Sequence, residues 1–170
     1  EATARHLATR GARVVLGARR SDRLQTIVSE IRAAGGQALA VTADVTNAAE
    51  VQALVDAVAQ HTDTLDVLIN NAGASWGAPL DQFPESGWDK VMNLNLKSLF
   101  FLSQQLLPLL RRAARPEAYA SIINISSVYA LMHSPLNTYS YSASKAAVIA
   151  LTRQLAADLQ ADHIKAIISH

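Results

Sequence analysis

The chain predicts an α/β fold built on a doubly wound parallel sheet, and three observations predict it. Strand-like and helix-like segments alternate through all 170 residues. The strand candidates are continuous apolar runs rather than period-two alternations, which is the pattern of parallel strands covered on both faces. The distinctive polar residues fall just after those runs, at the carboxyl ends of strands, where open α/β sheets bind ligands.

The elements follow in order. Residues 1–10 read as a helix stopped by Gly11, and 12–17 as a short strand. Helical spacing of Leu24, Ile27, Val28 and Ile31 predicts a helix over 21–34, with Ser21 as its N-cap and Gly35-Gly36 as its stop. A second strand covers 37–42. Asn47 can cap a helix carrying Val51, Leu54, Val55 and Val58. Residues 65–69 form a strand too apolar for an exposed edge. Gly, Pro and Ser make 70–87 a loop with room for one short helical turn. A long helix is expected over 88–110, with Pro108 disturbing its end. The strand at 120–125 leads into a loop through His133, Pro135 and Asn137. A helix rich in small residues follows at 139–159, and a last strand at 164–168.

Composition excludes several classes. Half of the residues are apolar and 17% charged, so the chain is not disordered. A net charge of +1 gives no field for nucleic acid or an anionic membrane. No apolar run reaches the ~18 residues a membrane helix needs. Without cysteine there is no disulfide or thiol chemistry, and the five histidines lack metal-ligand spacing, so no metal is expected. A cytoplasmic location is the expectation. Asn124-Ile-Ser126 matches a glycosylation sequon but falls at a buried strand end.

The chemistry concentrates in Tyr141-Ser-Ala-Ser-Lys145. Four residues make about one helical turn, so the phenol and the ammonium share a face. An ammonium beside a phenol favours the phenolate, which suits proton exchange with a carbonyl or alcohol. Ser126 and Ser127 close the apolar run just upstream, where a hydroxyl can hold the reacting oxygen. Arg19 and Arg20 follow the first strand, Asp44 the second, and Asn70 to Gly73 the third.

These segments occur in a definite order: Asp44-Val45, Asn70-Asn71-Ala72-Gly73, Asn93-Leu94-Asn95-Leu96, Ser126-Ser127, and Tyr141 to Lys145. In this the chain resembles the short-chain dehydrogenase/reductase family over nearly its whole length. The resemblance implies a Rossmann-like fold and an oxidoreductase that moves a hydride between a nicotinamide cofactor and a carbonyl or alcohol. Tyr141 would be the general acid. Lys145 would favour its ionised form and bind the nicotinamide ribose. Ser127, fourteen residues before Tyr141, would hydrogen-bond the carbonyl oxygen. It is preferred to Ser126 because strand alternation sends the two to opposite sides. Asn95 would hold a water in a proton relay at a local break in the long helix, and Asn93 could equally be a surface residue.

Ala18 stands where an acidic residue would bind a ribose 2′-hydroxyl, and the arginines that follow match a 2′-phosphate in charge and shape. The expected cofactor is therefore NADP(H), held by Arg19, Arg20, Asp44, Val45, Asn71, Ala72 and Gly73 together with Tyr141 and Lys145. Asn70 could instead brace neighbouring strands. The stretch 70–101, with Trp76-Gly77 and Pro84-Glu-Ser-Gly-Trp88, resembles reductases of the 3-oxoacyl-carrier-protein type, including the kind linked to rhamnolipid synthesis. The expected substrate is a small-molecule carbonyl such as a 3-oxoacyl thioester. A sugar or polyol dehydrogenase and a non-catalytic dinucleotide-sensing protein are the alternatives. The long helix and the helix after Tyr139 resemble the family's dimer-forming pair, so a homodimer or homotetramer is expected.

The family pattern also calls for a first strand with a Gly-rich turn, and for a C-terminal strand beyond a substrate-covering segment. Neither is found within residues 1–170. The expectation is a single truncated dinucleotide-binding and catalytic domain over 1–170, whose first and second sheet halves lack the strand between them. By itself it is expected to be inactive.

Overall fold

A computed structural model gives the structure of the protein and describes residues 1–169. Residues Glu1–His61 make one compact unit, and the residues from Thr62 onward make another.

In the first unit, β1 (Arg13–Ala18) and β2 (Gln37–Thr42) pair in parallel, with Arg13 opposite Gln37 and Ala18 opposite Thr42. Helices α1 (Ala2–Thr9) and α2 (Ser21–Ala33) share one face of this ribbon. Their Ala4, Ala8, Ile27, Val28 and Ile31 pack with Ala38, against Val14, Leu16 and Ala40. Period-two alternation sends Gly17 to the other face, where the space for a Cβ abuts Leu54 of α3 (Ala48–His61) at 3.3 Å. Both faces are thus covered within the unit. Gly11 and Gly35 end α1 and α2 at φ +88° and +83°, a backbone that residues with a Cβ rarely adopt. Asn47 caps α3 as expected, its Oδ1 accepting the Ala49 and Glu50 N–H groups at 3.0 and 3.4 Å. Ser21 does not cap α2. The helix begins with Ser21 itself, Arg20 takes the N-cap position, and no side chain caps it. The Leu24 N–H to Arg20 carbonyl bond closes the first turn one residue earlier than the serine suggested.

In the second unit, β3 (Val67–Asn70), β4 (Ala120–Ile125) and β5 (Ile164–Ser169) form a parallel sheet in that order. Helix α4 (Glu85–Met92) passes through a π turn at Asn93–Lys97 into α5 (Ser98–Ala113), and α6 (Tyr139–Asp158) precedes β5. The helix expected over 88–110 therefore starts three residues earlier, directly after Pro84, and ends three later. Pro108 lies inside α5 without ending it. Its side is exposed, so the carbonyl that loses a donor there can bond water.

A buried polar chain ties this unit together. Asn70 Nδ2 donates to Ser103 Oγ of α5 and to Asn124 Oδ1 on β4, and Asn124 Nδ2 donates to Thr152 Oγ1 of α6, all at 2.9–3.0 Å. Asn70 and Asn124 are register partners, so their side chains stand on the same face, toward α5 and α6. The opposite face is less covered: Val67 and Ile167 remain 44% and 42% exposed. Full burial of both sheet faces, as the apolar runs suggested, therefore does not hold here. Apolar composition marks a strand without saying which of its faces is covered.

Candidate active site

The second unit holds a cavity of about 520 Å³ at the carboxyl ends of β3 and β4. Three segments line it: 71–75 after β3, 125–129 after β4, and the approach to α6 with its first two turns. Of the residues the sequence singles out, Asn71, Gly73, Ser127, Tyr141 and Lys145 all border this one space. Ala72 is exposed beside it. Arg19, Arg20, Asp44 and Val45 belong to the first unit.

Lys145 is 6% exposed, and its Nζ donates to the Ile125 carbonyl at 2.7 Å. No carboxylate lies within ion-pair distance of it among the described residues. Burial therefore disfavours the ammonium and lowers its pKa from the ordinary lysine value. Nζ lies 5.7 Å from the centre of the Tyr141 ring, as the one-turn spacing requires. With one N–H bonded to Ile125, two remain to meet a ligand in the cavity.

Ser126 and Ser127 diverge as alternation demands. Ser126 is buried and donates to the Lys145 carbonyl at 3.0 Å, which ties the strand end to α6. Ser127 is half-buried, and its Oγ accepts from the Tyr129 N–H at 3.3 Å, leaving its own proton available to a ligand.

Asn95 is 1% exposed, whereas Asn93 lies on the surface. The π turn separates them. Ser98 N–H donates to the Asn93 carbonyl, five residues back, and Ser98 Oγ bonds the Leu94 carbonyl at 2.6 Å in place of the displaced N–H. Asn95 Oδ1 accepts from Ala74 N–H at 2.8 Å. Its Nδ2 donates to the Ala74 carbonyl at 2.9 Å and to Ser144 Oγ at 3.0 Å. Ser144 in turn donates to the Tyr141 carbonyl at 2.7 Å. Asn95 thus joins the 71–75 segment to the helix that carries Tyr141 and Lys145. A Cβ built on Gly73 would lie 3.4 Å from Asn95 Oδ1 and 3.7 Å from Lys145 Nζ, so glycine keeps that wall of the cavity open.

Sequence reasoning passed over Ser144 and Ser126 as site residues. The signal for Ser144 was its place three residues after Tyr141, on the same helix face. For Ser126 it was its place at the strand end, where it borders the cavity while its Oγ turns to the Lys145 carbonyl.

In the first unit, Asp44 Oδ1 accepts from the Thr46 N–H at 2.9 Å and from Thr46 Oγ1 at 2.7 Å. These bonds, with a smaller pull from the Arg19 guanidinium, hold its carboxyl below the usual aspartate range. Arg19 and Arg20 are exposed, and among the described residues neither side chain has a hydrogen bond or ion pair.

Known proteins show the same pattern. The short chain dehydrogenase family profile matches residues 1–169. The rhamnolipids biosynthesis 3-oxoacyl-[acyl-carrier-protein] reductase of Pseudomonas aeruginosa is 44% identical over 154 residues, 91% of this chain and 60% of that protein. The 3-oxoacyl-[acyl-carrier-protein] reductase FabG of Thermotoga maritima is 33% identical over 165 residues, 97% of this chain and 65% of that protein. Among solved structures, the Pseudomonas aeruginosa RhlG/NADP active-site complex superposes with a TM-score of 0.92 at 42% identity, over 97% of this chain and 64% of that one. The chain spans under two thirds of the length of these relatives. With a Rossmann-like fold and a profile match over residues 1–169, the protein belongs to the short chain dehydrogenase family.

Proposed function

We propose that the protein serves an NADP(H)-dependent reduction of a ketone, of the 3-oxoacyl thioester class. The observation that carries this is the convergence of Ser127, Tyr141 and Lys145 on one cavity, with Lys145 buried and unpaired by any described carboxylate. The fit to a dinucleotide rests on the same space. Gly73 leaves a cradle where a Cβ would press toward Asn95 and Lys145, and the two spare N–H groups of Lys145 suit the hydroxyls of a ribose. Arg19 and Arg20, exposed and with no side-chain hydrogen bond or ion pair among the described residues, suit a 2′-phosphate, and Asp44 and Val45 suit the adenine side.

When bound, the nicotinamide supplies the hydride. The protein's part is orientation and the proton. Ser127 Oγ–H donates to the carbonyl oxygen. Tyr141 gives that oxygen its phenolic proton as the carbon is reduced, and takes it back in the reverse direction. Lys145 holds the cofactor ribose and favours the ionised phenol. Both amide hydrogens of Asn95 are donated within the protein, so Asn95 serves a proton relay by holding the 71–75 loop rather than by donating to water. A cytoplasmic enzyme that works as a homodimer or homotetramer is part of this reading. The nearest support for the substrate class is the pair of 3-oxoacyl reductase relatives.

Residues 1–170 include no Gly-rich turn between a strand and a helix to take the pyrophosphate, so the chain by itself should bind NADPH weakly. The test uses the 170 residues alone and the same residues joined to the flanking segments of the Pseudomonas relative. NADPH oxidation with acetoacetyl thioester should appear in the joined chain and exceed any rate with polyols. Tyr141→Phe should cut that rate by ~10²-fold or more while leaving NADPH affinity unchanged. A joined chain that binds NADPH tightly but reduces no ketone would overturn the reading.

A further inference from the structure

Two glycines outside the catalytic set occupy positions that a side chain would disrupt, and both touch the same indole or its neighbour. Gly87 is buried in the first turn of α4. A Cβ there would lie 2.8 Å from Cγ, Cδ1 and Cδ2 of Trp76, so the indole face rests directly on the helix backbone. Alanine is favoured over glycine inside a helix, so glycine here gives up helix stability to admit the ring. Lys90, one turn on, places its ammonium 5.4 Å from the centre of the same ring. The next residue, Gly77, meets a different element. A Cβ on Gly77 would lie 2.8 Å from the Leu136 carbonyl oxygen and 3.7 Å from Thr138 Cγ2, and the Ala78 N–H reaches the Asn137 carbonyl at 3.4 Å. Asn137 has φ +52°, so the 133–138 loop turns sharply where Gly77 meets it. Leu136 and Thr138 then line the cavity directly.

These contacts form a continuous chain: α4 holds Trp76 flat, Trp76 fixes Gly77, and Gly77 seats the Leu136–Thr138 wall. We propose that Gly87, Trp76 and Gly77 are positioning residues that set this wall and so decide which ketones fit against Tyr141. The inference rests on the proposed reduction for its substrate, but the clasp itself does not. Leu136 and Thr138 line the cavity together with Tyr141, so a shift of their backbone changes the room beside the reacting carbonyl.

Hydrogen exchange on the 170-residue chain tests the clasp. Gly77→Ala and Gly87→Ala should each raise exchange across residues 131–138 while leaving the β4 and α6 amides protected. In a Trp76→Ala background, Gly87→Ala should have no further effect, because the clash partner is gone, whereas Gly77→Ala should still loosen the loop, because its clash is with backbone. Protection of β4 in each variant shows that the fold survives. Binding of acetoacetyl-N-acetylcysteamine to the joined chain with NADPH present, followed by calorimetry, should weaken about ten-fold in both glycine variants, with NADPH affinity unchanged. Unchanged exchange at 131–138 in both variants, or additive effects of Gly87→Ala and Trp76→Ala, would overturn the clasp. Loosened exchange with undiminished ketone binding would overturn its role in fit. A joined wild-type chain that binds NADPH but no ketone, with the expected exchange pattern, would count against the proposed reduction and in favour of the clasp.

Discussion

The ammonium of Lys145 has left water for a site with one carbonyl acceptor and no described carboxylate partner. Desolvation therefore outweighs what the Ile125 hydrogen bond returns, and the pKa falls. The consequence for stability has a definite sign. Well below both pKa values, the lysine is charged folded and unfolded, and the folded state bears the full desolvation cost. Between the lowered native value and the unfolded value near ~10.4, the unfolded chain holds more protons, so stability rises with pH. Lys145→Met removes this slope. Its stability relative to wild type should be most favourable near neutral pH and should decline as pH rises through that window. Urea denaturation of both proteins across that range checks this, and parallel stability curves would contradict it. Lys145, to which our functional reading gives the ribose and the phenol, thus weakens the fold at neutral pH.

At the scale of the element, the fold was legible wherever a local signal acts alone. The 37–42 and 120–125 strands sit at their expected limits, and the Asn47 cap forms as read. Ser21 misled because the Arg20 carbonyl closes the first turn of α2 one residue earlier, and Pro108 because its side of α5 is exposed and water can take the bond it forfeits. The site was legible as motifs: Tyr141 and Lys145 by spacing, Ser127 by alternation. Ser144 and the Trp76–Gly87 stack were not, because they depend on which turns of α4, α6 and the 71–79 loop meet in space. The buried chain Ser103–Asn70–Asn124–Thr152 is of the same kind. Asn124 is its centre, accepting from Asn70 and donating to Thr152 between α5 and α6. Asn124→Ala leaves an Asn70 amide proton without its partner in a dry interior. That should cost about 1–3 kcal/mol, since an orphaned buried polar group bears its desolvation uncompensated. Asn124→Asp keeps the acceptor but brings an unpaired charge, so it should be worse at neutral pH than at acid pH. Chemical denaturation at two pH values measures both. An alanine variant as stable as wild type would mean that water completes the network.

For the molecule as a whole, the surface of α5 raises the question of assembly. Its inward side carries Leu99, Leu106, Leu109 and Leu110, all buried. An amphipathic helix on a sheet should then turn polar residues outward. Phe100 and Phe101 instead stand 37% and 43% exposed, edge to face at 5.2 Å, and Trp88 on α4 is 40% exposed. Single exposed aromatics are ordinary, but two adjacent phenylalanines packed edge to face on one helix make an apolar surface that water disfavours. A second copy of the chain is the partner our functional reading assigns to it. Covering both rings would remove apolar area worth several kcal/mol at ~25 cal/mol per Å², before the entropic cost of association is set against it. Phe101→Glu places a charge on that pair and should convert the assembly to monomers. Because the position is already exposed in one chain, monomer stability should be nearly unchanged. Sedimentation velocity of wild type and variant decides the matter. A wild-type chain that sediments as a monomer at every concentration tested would remove the assembly from the proposal. A variant that still associates would move the interface away from α5.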